Sequence, residues 1–379
     1  MTTMRPGLRR GVHGTLCVVV ACLGVSLAAC EEKPRLEQPP PPERSSSAAE
    51  KPTGQVAPTP QKDGAQALIA RAKPIFGVLP AAAVRSDNPL TNAKIALGRQ
   101  LYFETRLSKA GDLSCNSCHD LAKYGVDVRT PGAKTSSGHK GALGDRNAPT
   151  VYNAALHIAQ FWDGRAKDVE EQAKGPILNP VEMAMADEAA VLKVLASIDG
   201  YQKMFAAAFP DDKQPLTYDN LGLAIGAFER KLTTKGRFDA FLGGDASALS
   251  EQEQRGLGLF LDAGCTACHA GPALGGQMYQ KLGLLKPYPT QDPGRSKVTG
   301  NEAEKFFFKV PSLRNIAETA PYLHDGSIAT LEQMVRIMAE HQTAKGKLSE
   351  AETADLVAFL KSLTGDLPAS SYIAPPPAI

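Results

Sequence analysis

Two five-residue stretches carry the chemistry of this sequence: Cys115-Asn116-Ser117-Cys118-His119 and Cys265-Thr266-Ala267-Cys268-His269. Each is C-x-x-C followed at once by His, the attachment signal for a c-type haem. Two thiols three positions apart on one helical turn reach the two vinyl groups of a single porphyrin, and the next imidazole meets the iron from the same side. A thioredoxin-like redox pair or half of a zinc site would account for the cysteines, but not for a His in the same place twice. The residues therefore predict two covalently bound haems c, with His119 and His269 as proximal iron ligands.

The distal ligands must come from elsewhere, and their identity sets the potentials: Met opposite His raises it, a second His lowers it. For the second haem, Met278 lies too soon after His269 to cross to the far face. Met334 and Met338 are i, i+4 on one helical face, so either could ligate while the other packs. For the first haem, His139 sits in the polar loop Ser136-Ser137-Gly138-His139-Lys140-Gly141, and a loop can swing away to open a coordination site. His157 lies among Ala154, Ala155, Leu156 and Ile158 and reads as a satisfied buried histidine.

The elements that must position these groups are repeated. After the first motif come Pro149-Thr150-Val151-Tyr152-Asn153 and then Asp163-Gly164; after the second come Pro311-Ser312-Leu313-Arg314-Asn315 and then Asp325-Gly326. Gln172 and Gln333 follow, each after a Glu, and Trp162 occupies the place of His324. Apolar residues at three- and four-residue spacing predict helices over 93–103, 187–196, 220–231, 251–261, 331–341 and 351–363. No run of alternating strands is evident. The expected fold is all-α: two tandem cytochrome-c-like haem domains, 62–236 and 237–365, joined near Thr233 to Gly244, with 366–379 as a disordered tail.

The N-terminus has the layout of an export signal. Arg5, Arg9 and Arg10 precede an apolar run from Leu16 to Ala29, too short to span a bilayer comfortably. Leu27-Ala28-Ala29-Cys30 resembles the bacterial lipobox, so 1–29 reads as a lipoprotein signal peptide and Cys30 as the acylated residue, anchored to a membrane in the periplasm. Cys17 and Cys22 leave with the signal. Residues 30–61, rich in Pro and Ser, read as a tether that cannot bury enough apolar surface to fold. Lys+Arg 42 against Asp+Glu 40 gives no reason to expect nucleic acid as a partner.

These residues together resemble the bacterial di-haem cytochrome c peroxidase family, within the MauG-related superfamily, over roughly 75–363. The resemblance is carried by Gly138-His139-Lys140, Arg146-Asn147-Ala148-Pro149-Thr150, Phe161-Trp162-Asp163-Gly164-Arg165, Glu171-Gln172-Ala173, Pro180-Val181-Glu182-Met183, Val310-Pro311-Ser312-Leu313-Arg314-Asn315 and His324-Asp325-Gly326, in the family's order. It implies that the N-terminal haem is the peroxidatic, low-potential one, with His119 proximal and His139 the removable distal ligand. It implies a high-potential C-terminal haem held by His269 and a Met, and the family's spacing from His324 selects Met338 over Met334. Trp162 matches the aromatic residue between the haems, Glu182 the acid–base carboxylate and Gln172 its polar neighbour. Asn147, with backbone carbonyls at Thr319 and Pro321, matches an inter-domain calcium site, for which oxygen ligands suit the ion.

The expected function is reduction of hydrogen peroxide with electrons from a cytochrome c or a cupredoxin, in a family whose members are often homodimers. Two rivals stand beside it. A pure electron carrier would keep both irons six-coordinate with no carboxylate over either. A MauG-like enzyme, which oxidises residues of a partner protein, would carry Tyr where this chain has Met338; Tyr322 is nearby but out of register.

Overall fold

The computed structural model describes residues 62–130 and 132–379. The expected signal peptide, lipid-bearing Cys30 and tether up to residue 61 lie outside the described residues. Thirteen helices follow one another there: α1 (Lys62–Phe76), α2 (Asn92–Tyr102), α3 (Cys115–Cys118), α4 (Val169–Leu178), α5 (Glu188–Ala196), α6 (Asp199–Ala208), α7 (Tyr218–Glu229), α8 (Arg237–Leu242), α9 (Glu251–Asp262), α10 (Ser296–Thr299), α11 (Leu331–Gln342), α12 (Glu350–Ser362) and α13 (Ser370–Ile373). All six helices expected from periodicity are present, with ends shifted by a few residues. Their starts are written in the sequence as side-chain caps: Thr91, Asp187, Thr217, Ser250, Thr330 and Ser349 each accept an N–H of the first turn. One antiparallel ribbon, β1 (Tyr279–Lys281) with β2 (Phe307–Lys309), interrupts the helices and pairs Tyr279 with Lys309.

Each half is built on one crossed helix pair, α2 on α7 and α9 on α12. Glycine permits both crossings. A Cβ at Gly98 would fall on the carbonyl oxygen of Ala224, and one at Gly256 on that of Asp355, with Phe228 and Phe359 beside them. Gly258, on the same helix as Gly256, has open space around it. Gly256→Ala should therefore destabilise the holoprotein by about 1–3 kcal/mol through overpacking. Gly258→Ala should leave it unchanged or raise it by up to about 1 kcal/mol through helix propensity. Thermal unfolding of the two variants checks this; equal melting temperatures would contradict the account of the crossing.

The duplication is visible in the backbone. Asn153 and Asn315, Phe161 and Leu323, and Gly164 and Gly326 all have positive φ, at a constant separation. The bridges Gln160 to Ala166 and Tyr322 to Ile328 repeat at the same interval. The two asparagines meet at one residue: Thr234 Oγ1 accepts from Asn153 Nδ2 at 3.0 Å and from Asn315 Nδ2 at 2.9 Å. Their Oδ1 atoms accept from the amides of Thr234 at 3.1 Å and Gly365 at 2.9 Å. All three side chains are buried, so this clasp fixes the two halves on each other and leaves few polar groups unpaired.

The expected domain limits need correction at both ends. Helix α1 completes the second half, not the first. Its stripe Ala65, Leu68, Ile69, Ala72 and Phe76 is buried with Phe238, Phe260 and Phe359, and the Phe76 and Phe238 rings stand 5.5 Å apart. Residues 366–379 are not a disordered tail. Leu367, Tyr372 and Ile373 pack into the first core, Tyr372 lies 5.3 Å from the Phe228 ring, and Arg99 Nη2 donates to the carbonyls of Ser371 and Ala374 at 2.6 and 2.7 Å. Leu367, Tyr372 and Ile373 bury enough apolar surface to order the segment despite the prolines around them. Each core is thus closed by a segment from the opposite end of the chain.

Candidate functional site

The four cysteines of the two motifs are free thiols, with no disulfide between them. Burial raises all four thiols, Cys118 and Cys265 to about 11. Helix α3 carries Cys115 and Cys118 on a single turn, and a 3₁₀ turn over Cys265–Ala267 does the same for the second motif.

In the first half the site is assembled from three loops. Cys118 Sγ accepts from Arg129 Nη2 at 3.1 Å, and the same nitrogen donates to the Ser137 carbonyl at 2.8 Å. Arg129 so ties the thiol to the loop that carries His139. That loop lies on the segment after α4: the His139 amide donates to the Glu182 carbonyl at 2.8 Å. Gly138 makes the approach possible, because a Cβ there would overlap the Val181 carbonyl and the Glu182 backbone. Lys140 and Ala184, beside the two functional side chains, are held at positive φ, a conformation that costs energy and clusters at functional sites. His119 and His139 each present a buried Nδ1 with no hydrogen-bond partner.

Glu182 is half-buried, and burial raises its carboxyl above the ordinary value against the smaller opposing effects of Arg165 and Asn179. It is near enough to Cys118 to push the thiol up. Gln172 is half-buried on α4, the helix that leads directly into the Glu182 loop. The structure therefore brings His139, Glu182 and the first haem motif together. Arg129, which braces them, carries no sequence signal beyond its charge and was not anticipated.

In the second half a cavity of about 290 Å³ opens beside the second motif. It is lined by Cys265, Cys268 and His269, by Met334 and Met338, and by apolar side chains such as Phe260, Leu323 and Leu360. His269 Nδ1 faces the Leu274 carbonyl at 3.0 Å, which leaves Nε2 for a metal, the arrangement expected of a metal-bound imidazole. An apolar slot with two thiols and an imidazole oriented by a carbonyl fits a covalently bound haem. Met334 also packs into the main core, whereas Met338 packs only with the small cluster around Trp162 and Phe308.

The halves meet at Trp162, which lines this cavity. Its Nε1 donates to the Asn147 carbonyl at 2.9 Å, and its ring stands edge-on to His324 with centroids 6.4 Å apart. Asn147 in turn donates through Nδ2 to the Pro321 carbonyl at 2.7 Å. Thr319 and Pro321 both line the cavity. Arg146 spans the seam, 2.5 Å from Asp163 and 2.6 Å from Asp292. His157 is not fully satisfied: Nδ1 has Lys309 Nζ at 2.9 Å, but Nε2 is buried with no partner. Periodicity reports burial and is silent on which ring nitrogen is paired.

Comparison with known proteins agrees with this architecture. Residues 92–247 match the family model described as di-haem cytochrome c peroxidase, and 253–364 match that of cytochrome c. The chain is 51% identical to the cytochrome c551 peroxidase of Nitrosomonas europaea over 281 residues, covering 73% of this chain and 82% of that one. It is 42% identical to the cytochrome c551 peroxidase of Pseudomonas aeruginosa over 329 residues, covering 83% of this chain and 93% of that one. Among solved structures, a MauG-like protein associated with microbial copper homeostasis superposes with a TM-score of 0.69 at 34% identity, covering 79% of this chain and 96% of that one. The chain belongs to the di-haem cytochrome c peroxidase family.

Proposed function

We propose that this protein reduces hydrogen peroxide to water in the bacterial periplasm, with electrons from a small redox protein, a cytochrome c or a cupredoxin. The observation that carries this reading is the convergence of Cys118, His139 and the raised carboxyl of Glu182 in the first half. A carrier of electrons has no use for a half-buried acid beside its haem; a peroxidase needs one to move a proton between the two oxygens. When bound, the two haems c supply an iron for peroxide and a store for the second electron. His119 and His139 would hold the first iron, and His269 and Met338 the second. Met338 is favoured over Met334 because it is not committed to the main core.

The chain's own groups divide the remaining work. His139 sits on a 3₁₀ turn whose next residue is at positive φ, and displacement of that turn would clear the position for peroxide. Glu182 would accept the proton from the inner oxygen and return it to the outer one; with two electrons from the donor protein by way of the bound haems and two protons from solvent, both oxygens leave as water. Gln172, on the helix that leads into the Glu182 loop, would orient the substrate. Trp162 lies between the halves and would assist electron passage. Asn147, with the carbonyls of Thr319 and Pro321, would hold a calcium ion at the seam once the amide turns Oδ1 toward it. Cys30 would carry the lipid anchor.

Two measurements test this. Peroxide turnover with a reduced cytochrome c donor separates a peroxidase from a pure carrier, which would show none. His139→Gly should convert the N-terminal haem of the oxidised protein from six- to five-coordinate, read by its electronic spectrum. An unchanged spectrum would mean that another residue holds that iron. The MauG-like alternative is disfavoured because Met338 stands where such an enzyme would carry Tyr, and Tyr322 is out of register, its hydroxyl donating to the Ile316 carbonyl at 3.0 Å.

A further inference from the structure

The cavity of the second half has one chemically odd corner. None of its lining residues is Asp or Glu, yet Lys309 is among them, at 6% exposure. Among the described residues its Nζ meets no carboxylate; it donates to His157 Nδ1 at 2.9 Å. A buried cation without a counter-charge is costly and is normally found paired.

His157 sharpens the point. Burial, and then the neighbouring ammonium, drive its pKa well down, so the ring is neutral. Because Nδ1 accepts from Lys309, the ring proton sits on Nε2, the atom that is buried with no partner. The corner therefore offers donors only: the remaining Nζ hydrogens and the Nε2 hydrogen. Gly276 is required for this placement, since a Cβ there would overlap the His157 ring. His157 comes from the first half and Lys309 from β2 of the second, and the Lys309 amide donates to the Trp162 carbonyl at 2.7 Å.

We propose that Lys309 and His157 form a carboxylate-binding pair that clamps a propionate of the C-terminal haem at the seam between the halves. The inference rests on the reading of Cys265–His269 as a haem site, and it goes beyond that reading by naming what neutralises the haem's own acid groups there. Burial with nothing to offset it pushes Lys309 down to about 8. An anion in the corner restores the charged form and removes the penalty. The pair is a positioning and potential-setting device, not a catalytic one.

Lys309→Met and Lys309→Arg, both as holoprotein, test it. The primary readout is the midpoint potential of the C-terminal haem; a second is the redox-difference infrared band of the propionate carboxylate. Loss of the cation leaves a negative charge beside the iron and favours the oxidised form. In Lys309→Met the oxidised-to-reduced ratio at fixed poise should rise about tenfold, equal to about 59 mV for one electron, with a shifted carboxylate band. Lys309→Arg should keep the potential and shift the band, because the partner changes from ammonium to guanidinium. An unchanged potential and band in Lys309→Met would overturn the proposal. So would a wild-type potential that follows chloride or phosphate concentration, since the anion would then be a free ion. If Lys309→Met fails to accumulate, an unchanged band in Lys309→Arg is decisive against it. The mass of the mature protein reports haem attachment separately, so failure of the haem reading and failure of the clamp are distinguishable.

Discussion

Glu182→Gln is expected to lower peroxide turnover by about 10²–10⁴-fold, the usual worth of a placed general acid–base group. Both haem spectra should be unchanged. The substitution is nearly isosteric and keeps the backbone carbonyl that accepts from the His139 amide, so the loop geometry survives. What is lost is a proton acceptor that becomes a donor. Burial already holds this carboxyl above its ordinary value, which makes it a better acceptor of the proton from the inner oxygen. Binding of a small anion to the N-terminal iron, followed optically, should be retained. Turnover within a fewfold of wild type would remove Glu182 from the mechanism.

The second large effect is expected at Met338. Axial ligand identity alone moves haem potentials over a span of about 0.8 V. Met338→His should therefore lower the potential of the C-terminal haem steeply, abolish the methionine–iron charge-transfer absorption, and slow turnover because the electron store no longer fills from the donor. Met334→Leu should do none of these and should cost only packing, within about 1.5 kcal/mol for a volume-conserving swap. Spectroelectrochemistry on the two variants decides between the i, i+4 pair, which share one helical face and one cavity. A reversed result would transfer the ligand role to Met334.

Much of this was legible in the sequence because the repeat is chemical as well as structural. The C-x-x-C-H motifs, the Pro-x-x-x-Asn stretches and the Asp-Gly turns mark the same places in both halves, and the structure shows why the asparagines recur: both close on Thr234. Helices were legible because apolar spacing and capping residues agreed on where each begins. The closing segments were not. Nothing local says that α1 serves the far core or that Tyr372 and Ile373 serve the near one, since both pairings span most of the chain. The proline-rich tail has too few apolar residues to signal order by itself, and the surface that receives them lies far away in the sequence. Arg129 and Lys309 escaped for a different reason. A single basic residue carries no pattern, and its meaning lies in what it is buried against.

The central claim is that two covalently bound haems sit in unequal axial environments, His119 with His139 and His269 with Met338. A redox titration of the mature protein followed by electron paramagnetic resonance tests it most directly. Two ferric low-spin signals are expected, with widely separated midpoints, the higher-potential one disappearing first on reduction and missing its methionine character in Met338→His. A single signal, or two that titrate together, would contradict the account.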